Sequence, residues 1–240
     1  MTAPRFANPV FVALDTPDLL QALDLARALK SHVGGLKLGL EFITAQGPAG
    51  ICAITELGLP VFADVKFHDI PNTVAGAARA IASLGIGIFN IHVSGGEAMM
   101  RAAVDAVSAQ RNRPRIIGVT VLTSLADDDL RAVGQVGPAP EQVARLARLA
   151  QASGLDGVVC SPQEIATVRA SCGRDFLIVT PGIRPAGTDL ADQRRVTSPE
   201  AAMRAGADIL VVGRPITAAP DPVNAAKAII AEIGISTAIA

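Results

Sequence analysis

Three charged residues fall within six positions of VFADVKFHDIPNTV, residues 61–74: Asp64, Lys66 and Asp69. An apolar run leads into them, and a proline follows. Asp64 and Lys66 stand two apart, so on a strand both side chains point to one face. Lys37, inside GGLKLGLEF, has apolar neighbours on either side. A buried ammonium without a partner is costly or loses its proton, so Lys37 calls for carboxylates. Two lysines and two or three aspartates would then alternate in charge around one cavity. Such groups serve three chemistries: proton donation by a fixed ammonium, Schiff-base formation on Lys37 or Lys66, and magnesium binding by the aspartates.

A second cluster points to an anion. GADILVVGRPIT places Gly213 and Arg214 just after an apolar run, and PGIRPAGTDLADQRR supplies Arg184 and Gln193 shortly before it. Backbone N–H groups and a guanidinium together hold a phosphate. A Gly-Arg pair alone fits a surface turn equally well; Arg184 and Gln193 give the phosphate reading its weight. His68 and His92 lack the spacing of zinc ligands, and His32 near a helix end reads as structural.

The elements that must position these groups repeat one phrase: helix, glycine, apolar run, polar residue. It occurs as ITELGLPVFADVK, IASLGIGIFNIHVS, AQASGLDGVVCSP and AMRAGADILVVGRP. Each reads as a glycine helix cap followed by a strand buried on both faces. Eight strands are expected, near 9–14, 34–38, 60–65, 86–91, 115–119, 156–160, 176–180 and 208–212. Helical patterns such as LLQALDLARALKSHV, TVAGAARAIASL and PEQVARLARLAQAS fill most gaps. That rhythm over 240 residues is the size of a single-domain (β/α)₈ TIM barrel spanning 1–240. An open doubly wound sheet is the rival, usually with fewer strands.

In such barrels the active site forms at the C-terminal ends of the strands. Those ends carry Asp15, Lys37, Asp64 with Lys66, His92, Thr123, Ser161, Pro181 to Arg184, and Gly213 with Arg214. The long connections at 123–140 and 181–198 follow strands, so both are expected on that face, with 181–198 the natural lid.

Composition narrows the partners. Net charge is −1, with no basic block, no Trp or Tyr and only 7 Phe, which leaves little for a nucleic-acid surface. Cys52, Cys160 and Cys172 form no CxxC pair and read as reduced thiols. No charged leader precedes an apolar core, and no uncharged apolar run reaches 18 residues. A soluble cytoplasmic protein without membrane partners is expected.

DVKFHDIPNTV resembles the signature of the orotidine 5'-phosphate decarboxylase family. FVALD at Asp15, LKLGLEF at Lys37, VLTS at Thr123, VTPGIRP at Arg184, DQRR at Gln193 and VVGRPI at Arg214 follow in family order. D-x-K-x-x-D alone is shared with sister decarboxylases and aldolases; the longer KFHDIPNT is specific. The resemblance implies decarboxylation of orotidine 5'-phosphate to UMP, with no metal and no organic cofactor. It implies ribose contacts from Asp15 and a catalytic array of Lys37, Asp64, Lys66 and Asp69. Lys66 would donate the proton and Thr123 would bond the pyrimidine. Arg184, Gln193, Gly213 and Arg214 would hold the 5'-phosphate. Asp69 and Thr73 would reach into the neighbouring subunit's site, making a homodimer the active unit. Three rivals stand beside it: a magnesium-dependent sugar-phosphate enzyme, a Schiff-base aldolase, and a non-catalytic nucleotide-phosphate binder.

Overall fold

The computed structural model describes residues 6–185 and 197–234. Its eight strands are β1 (Val10–Leu14), β2 (Gly35–Leu38), β3 (Val61–Phe67), β4 (Ile88–His92), β5 (Arg115–Val119), β6 (Gly157–Val159), β7 (Leu177–Thr180) and β8 (Ile209–Val212). Each pairs in parallel with its sequence neighbours, and β8 returns to β1 through Val10–Leu210 and Val12–Val212. The result is a closed (β/α)₈ barrel, not an open sheet.

The helices between them are α1 (Leu19–Leu29), α2 (Leu40–Thr55), α3 (Pro71–Ala82), α4 (Glu97–Val107), α5 (Asp127–Ala132), α6 (Ala139–Ala152), α7 (Ile165–Cys172), α8 (Pro199–Ala205), α9 (Arg214–Thr217) and α10 (Pro222–Glu232). Pro71 opens α3, where its missing N–H goes unused. The glycines of the repeated phrase, Gly58, Gly85, Gly154 and Gly206, all take positive φ after a helix, the conformation a side chain resists. The 123–140 connection differs from a plain loop: it contains α5, whose Asp129 accepts from the backbone N–H of Ala126.

Alternation along the strands divides the core in two. Val10, Val12 and Leu14 face the helices, whereas Phe11 and Ala13 face the lumen. Phe62, Ile88, Ile117, Leu177, Val179, Ile209 and Val211 complete the lumen filling. A Cβ on Gly35 would lie 2.4 Å from the Phe11 ring, so a missing side chain on one strand makes room for a large one on the next. Two residues further along, the same inward rows turn polar: Ala13 gives way to Asp15, Phe62 to Asp64, Ile88 to Asn90. The apolar plug is thus the floor on which the charged residues stand.

Arg–Asp pairs tie the opposite rim. Asp208 lies 2.6 Å from the Arg169 guanidinium and also accepts from the N–H of Ile178 at 2.8 Å. Asp156 repeats the device with Arg113 at 2.9 Å and the N–H of Ile116 at 2.7 Å. Arg169 further donates to the carbonyls of Gly173, Phe176 and Gly206. Asp208→Ala should therefore leave a half-buried cation and an unpaired N–H. We expect a loss of roughly 3 kcal/mol, seen as a Tm lower by ~6–12 °C in circular dichroism; an unchanged Tm would show the clamp to be idle.

Candidate active site

The C-terminal strand ends enclose a cavity of about 480 Å³. Asp15, Lys37, Asp64 and Lys66 line one wall; Gly182, Arg184, Gly213 and Arg214 line another, with Thr123 between strands on the rim. All eight strands reach it, and its base includes Phe62, Val179 and Val211 from the lumen core.

The charged wall is a linked series. Lys37 Nζ lies 3.1 Å from Asp15 Oδ1 and 3.4 Å from Asp64 Oδ2. Lys66 Nζ lies 2.5 Å from Asp64 Oδ1. The side chains of Lys37 and Asp64 are only 10% and 14% exposed, so the partners expected of a buried lysine are in place. Burial raises the Asp64 carboxyl, but Lys37 and Lys66, with hydrogen bonds from Lys66 and Asn90, outweigh it and hold the group below its ordinary value. A carboxylate lowered in the fold contributes stability above its unfolded value and loses it as pH falls through the folded one. The array is accordingly a neutral-pH structure that acid dismantles.

Gly39 makes space for this pairing. A Cβ there would sit 2.7 Å from Asp15 Oδ1 and 2.9 Å from Lys37 Nζ. Its φ is −87°, so the demand is steric and not conformational.

Lys66 reaches the cavity by a route simple alternation does not describe. Its φ is +51°, the sole positive value at a non-glycine among the described residues. Register slips here: Ala63 pairs with Phe89 and Phe67 with Ile91, so Asp64, Val65 and Lys66 stand against Asn90 alone. A left-handed residue with a Cβ costs about 1–2 kcal/mol, and strain of this kind gathers at functional sites. Asn90, 1% exposed, fills the slip. Its Oδ1 accepts from the Lys66 backbone N–H at 2.7 Å, and its Nδ2 donates to Asp64 Oδ1 at 2.7 Å. Asn90 is absent from the residues expected from sequence. The signal was present: it is a polar residue at an inward position of the apolar strand IFNIH.

Other expected residues divide by position. Asp69 and Thr73 are exposed and lie off the cavity. Asp69 Oδ1 accepts from the N–H of Ile70, itself 68% exposed. Gln193 lies outside the described residues. The 181–198 connection is pinned at its base, where Arg184 N donates to Thr197 O at 2.9 Å beside the Ile183–Thr197 bridge. His92 packs against His68 with ring centroids 5.4 Å apart. Burial, His68 and Lys66 push the His92 imidazole down, against Asp64. Among the described residues no three His, Cys, Asp or Glu side chains converge as metal ligands.

A model of the orotidine 5'-phosphate decarboxylase / HUMPS family matches residues 8–229. The chain belongs to that family. Orotidine 5'-phosphate decarboxylase of Moorella thermoacetica is 57% identical over 232 residues, covering 94% of this chain and 92% of that protein. The protein of the same name from Paramagnetospirillum magneticum is 53% identical over 95% of this chain and 99% of its own length. Among solved structures, orotidine 5'-phosphate decarboxylase from Lactobacillus acidophilus superposes with a TM-score of 0.84 at 40% identity, covering 94% of this chain and 99% of that one. Family membership and the (β/α)₈ barrel expected from the strand rhythm thus agree.

Proposed function

We propose that residues 1–240 form one catalytic domain that decarboxylates orotidine 5'-phosphate to UMP, the last step of de novo pyrimidine nucleotide synthesis, without metal or organic cofactor. One observation carries the reading. The linked series Asp15–Lys37–Asp64–Lys66 occupies one wall of a cavity whose other wall holds Arg184 and Arg214. A substrate with a phosphate at one end and a reacting carbon at the other matches that separation of charge.

The chemistry follows from the charges. Breaking the bond from C6 of orotate to its carboxylate releases CO₂ and leaves the electron pair in an sp² orbital that the ring delocalises poorly. The Lys66 ammonium stabilises that pair as it develops and then gives C6 a proton. Asp64 faces cations through both oxygens, which supports positioning of Lys66 over repulsion of the departing carboxylate. The same engagement speaks against the magnesium rival, whose metal would need these oxygens. Thr123 bonds the pyrimidine and Asp15 with Lys37 the ribose. Arg184, Gln193, Gly213 and Arg214 hold the phosphate, and the 181–198 connection closes over it.

The exposed segment with Asp69, Ile70 and Thr73 is read as reaching into a second subunit's site. On this reading specific activity falls when the enzyme is diluted below its dimer dissociation constant; activity per chain that stays constant in a sedimenting monomer would remove the dimer. The enzyme is read as cytoplasmic, acting without nucleic acid or membrane. Among the described residues no helix is long and apolar enough to cross a membrane.

The deciding assay follows loss of orotidine 5'-phosphate absorbance with and without EDTA. Turnover in both is expected. No turnover in either would overturn the activity, and turnover abolished by EDTA would favour a metal-dependent relative. Borohydride trapping of substrate on Lys37 or Lys66 would favour the Schiff-base aldolase.

A further inference from the structure

We propose that Asn90 is the positioning residue of the reaction: a single buried amide that sets both the backbone of Lys66 and the carboxylate of Asp64. This inference rests on reading Lys66 as the proton donor. The geometry that carries it is the slip between β3 and β4. Lys66 holds a left-handed backbone inside that slip. Its N–H is paired across the slip by Asn90 Oδ1 at 2.7 Å. The other end of the same side chain donates to Asp64 Oδ1 at 2.7 Å, the oxygen that also accepts from Lys66 Nζ at 2.5 Å. The three residues therefore close a ring: backbone of Lys66, amide of Asn90, carboxylate of Asp64, ammonium of Lys66.

Two properties suit asparagine to this post and no other side chain of its size. It presents an acceptor and a donor on one planar group, which the Lys66 N–H and Asp64 carboxylate require in opposite senses. It is also neutral. Asp15, Lys37, Asp64 and Lys66 already balance one another, and His92 on β4, packed against His68, feels the charges of Lys66 and Asp64. An aspartate at 90 would keep the acceptor, lose the donor and set a carboxylate against Asp64. A leucine would fill the volume and leave both partners unpaired.

The test uses the full chain with orotidine 5'-phosphate, comparing unmodified enzyme with Asn90→Ala and Asn90→Asp. Asn90→Ala is expected to lower kcat about 100-fold, the scale of a 1 Å misplacement at a reacting centre, with KM changed little. Its acid limb of kcat against pH moves to higher pH, because Asp64 has lost a donor that favours its ionised form. Asn90→Asp moves that limb further in the same direction, because a like charge now faces Asp64. The near-isosteric Asn90→Asp carries the pH test should Asn90→Ala fail to fold. A crystal structure of Asn90→Ala, or of Asn90→Leu if the alanine variant does not fold, should show Lys66 out of its positive φ.

A purely structural Asn90 would give a lowered Tm with an unchanged pH profile, and that result overturns the proposal. So does a variant lacking the amide whose Lys66 keeps its φ. Unmodified enzyme inactive on orotidine 5'-phosphate would overturn the decarboxylase reading instead; the Lys66 backbone in the Asn90 variants would still decide the positioning claim.

Discussion

Lys66→Ala is expected to lower turnover of orotidine 5'-phosphate by more than about 10⁴-fold while leaving UMP binding within roughly tenfold of the unmodified enzyme. Two contributions are lost together. Removing a positioned general acid costs about 10²–10⁴ in rate, and removing a preorganised charge beside the developing carbanion about 10²–10³. UMP has no carboxylate to lose and no charge developing at C6, so on the proposed reading its affinity rests on phosphate, ribose and base contacts that other residues make. Lys66→Arg should fail almost as fully, because a guanidinium keeps the charge but does not surrender its proton. The chain has no Trp or Tyr, so calorimetry serves better than intrinsic fluorescence for the binding arm. Turnover of Lys66→Ala near the unmodified value would remove Lys66 as donor. Equal loss of turnover and of UMP binding would show that the substitution had collapsed the wall instead.

Why the wall collapses or stands depends on features of unequal visibility. The barrel was legible because parallel strands buried on both faces leave continuous apolar runs, and the glycine that ends each helix marks where the next strand begins. Strand bounds read that way fall within two residues of those observed, the short β6 included. Lys37 was legible as a partnered lysine for a purely energetic reason: its neighbours are apolar, and the ion pairs to Asp15 and Asp64 supply what burial demands. Lys66 is different. Period-two alternation put it on the same face as Asp64, and it is there. The route is a register slip with φ at +51°, which depends on the pairing of β3 with β4 and leaves no trace in local composition. Asn90 does leave a local mark, an inward polar residue within IFNIH, but its partners lie 24 and 26 positions away in the chain, so its role is not legible there. Asp69 and Thr73 sit off the cavity of their own chain, and only family resemblance assigns them a site elsewhere.

The wall proposed to hold the phosphate gives the second large effect. Arg214→Ala should lower kcat/KM for orotidine 5'-phosphate about 10–100-fold, mostly through KM, the range set by losing charged hydrogen bonds worth roughly 1.5–3 kcal/mol. Orotidine without its phosphate should react no more slowly with Arg214→Ala than with the unmodified enzyme, because that substrate brings no phosphate for the guanidinium to hold. The contrast matters more than either number. Arg214 opens α9 directly after Gly213 at the end of β8, while Lys37 and Lys66 stand on β2 and β3. On the proposed reading, Arg214 acts on rate through the phosphate it holds. Some loss in kcat itself is expected too, because binding energy from a remote group also assembles the reacting one. Raising substrate concentration recovers the KM part and leaves the kcat part, which separates the two. A loss of the same size on both substrates would place Arg214 in the support of the charged wall, and the phosphate grip would then fall to Arg184 and Gly213.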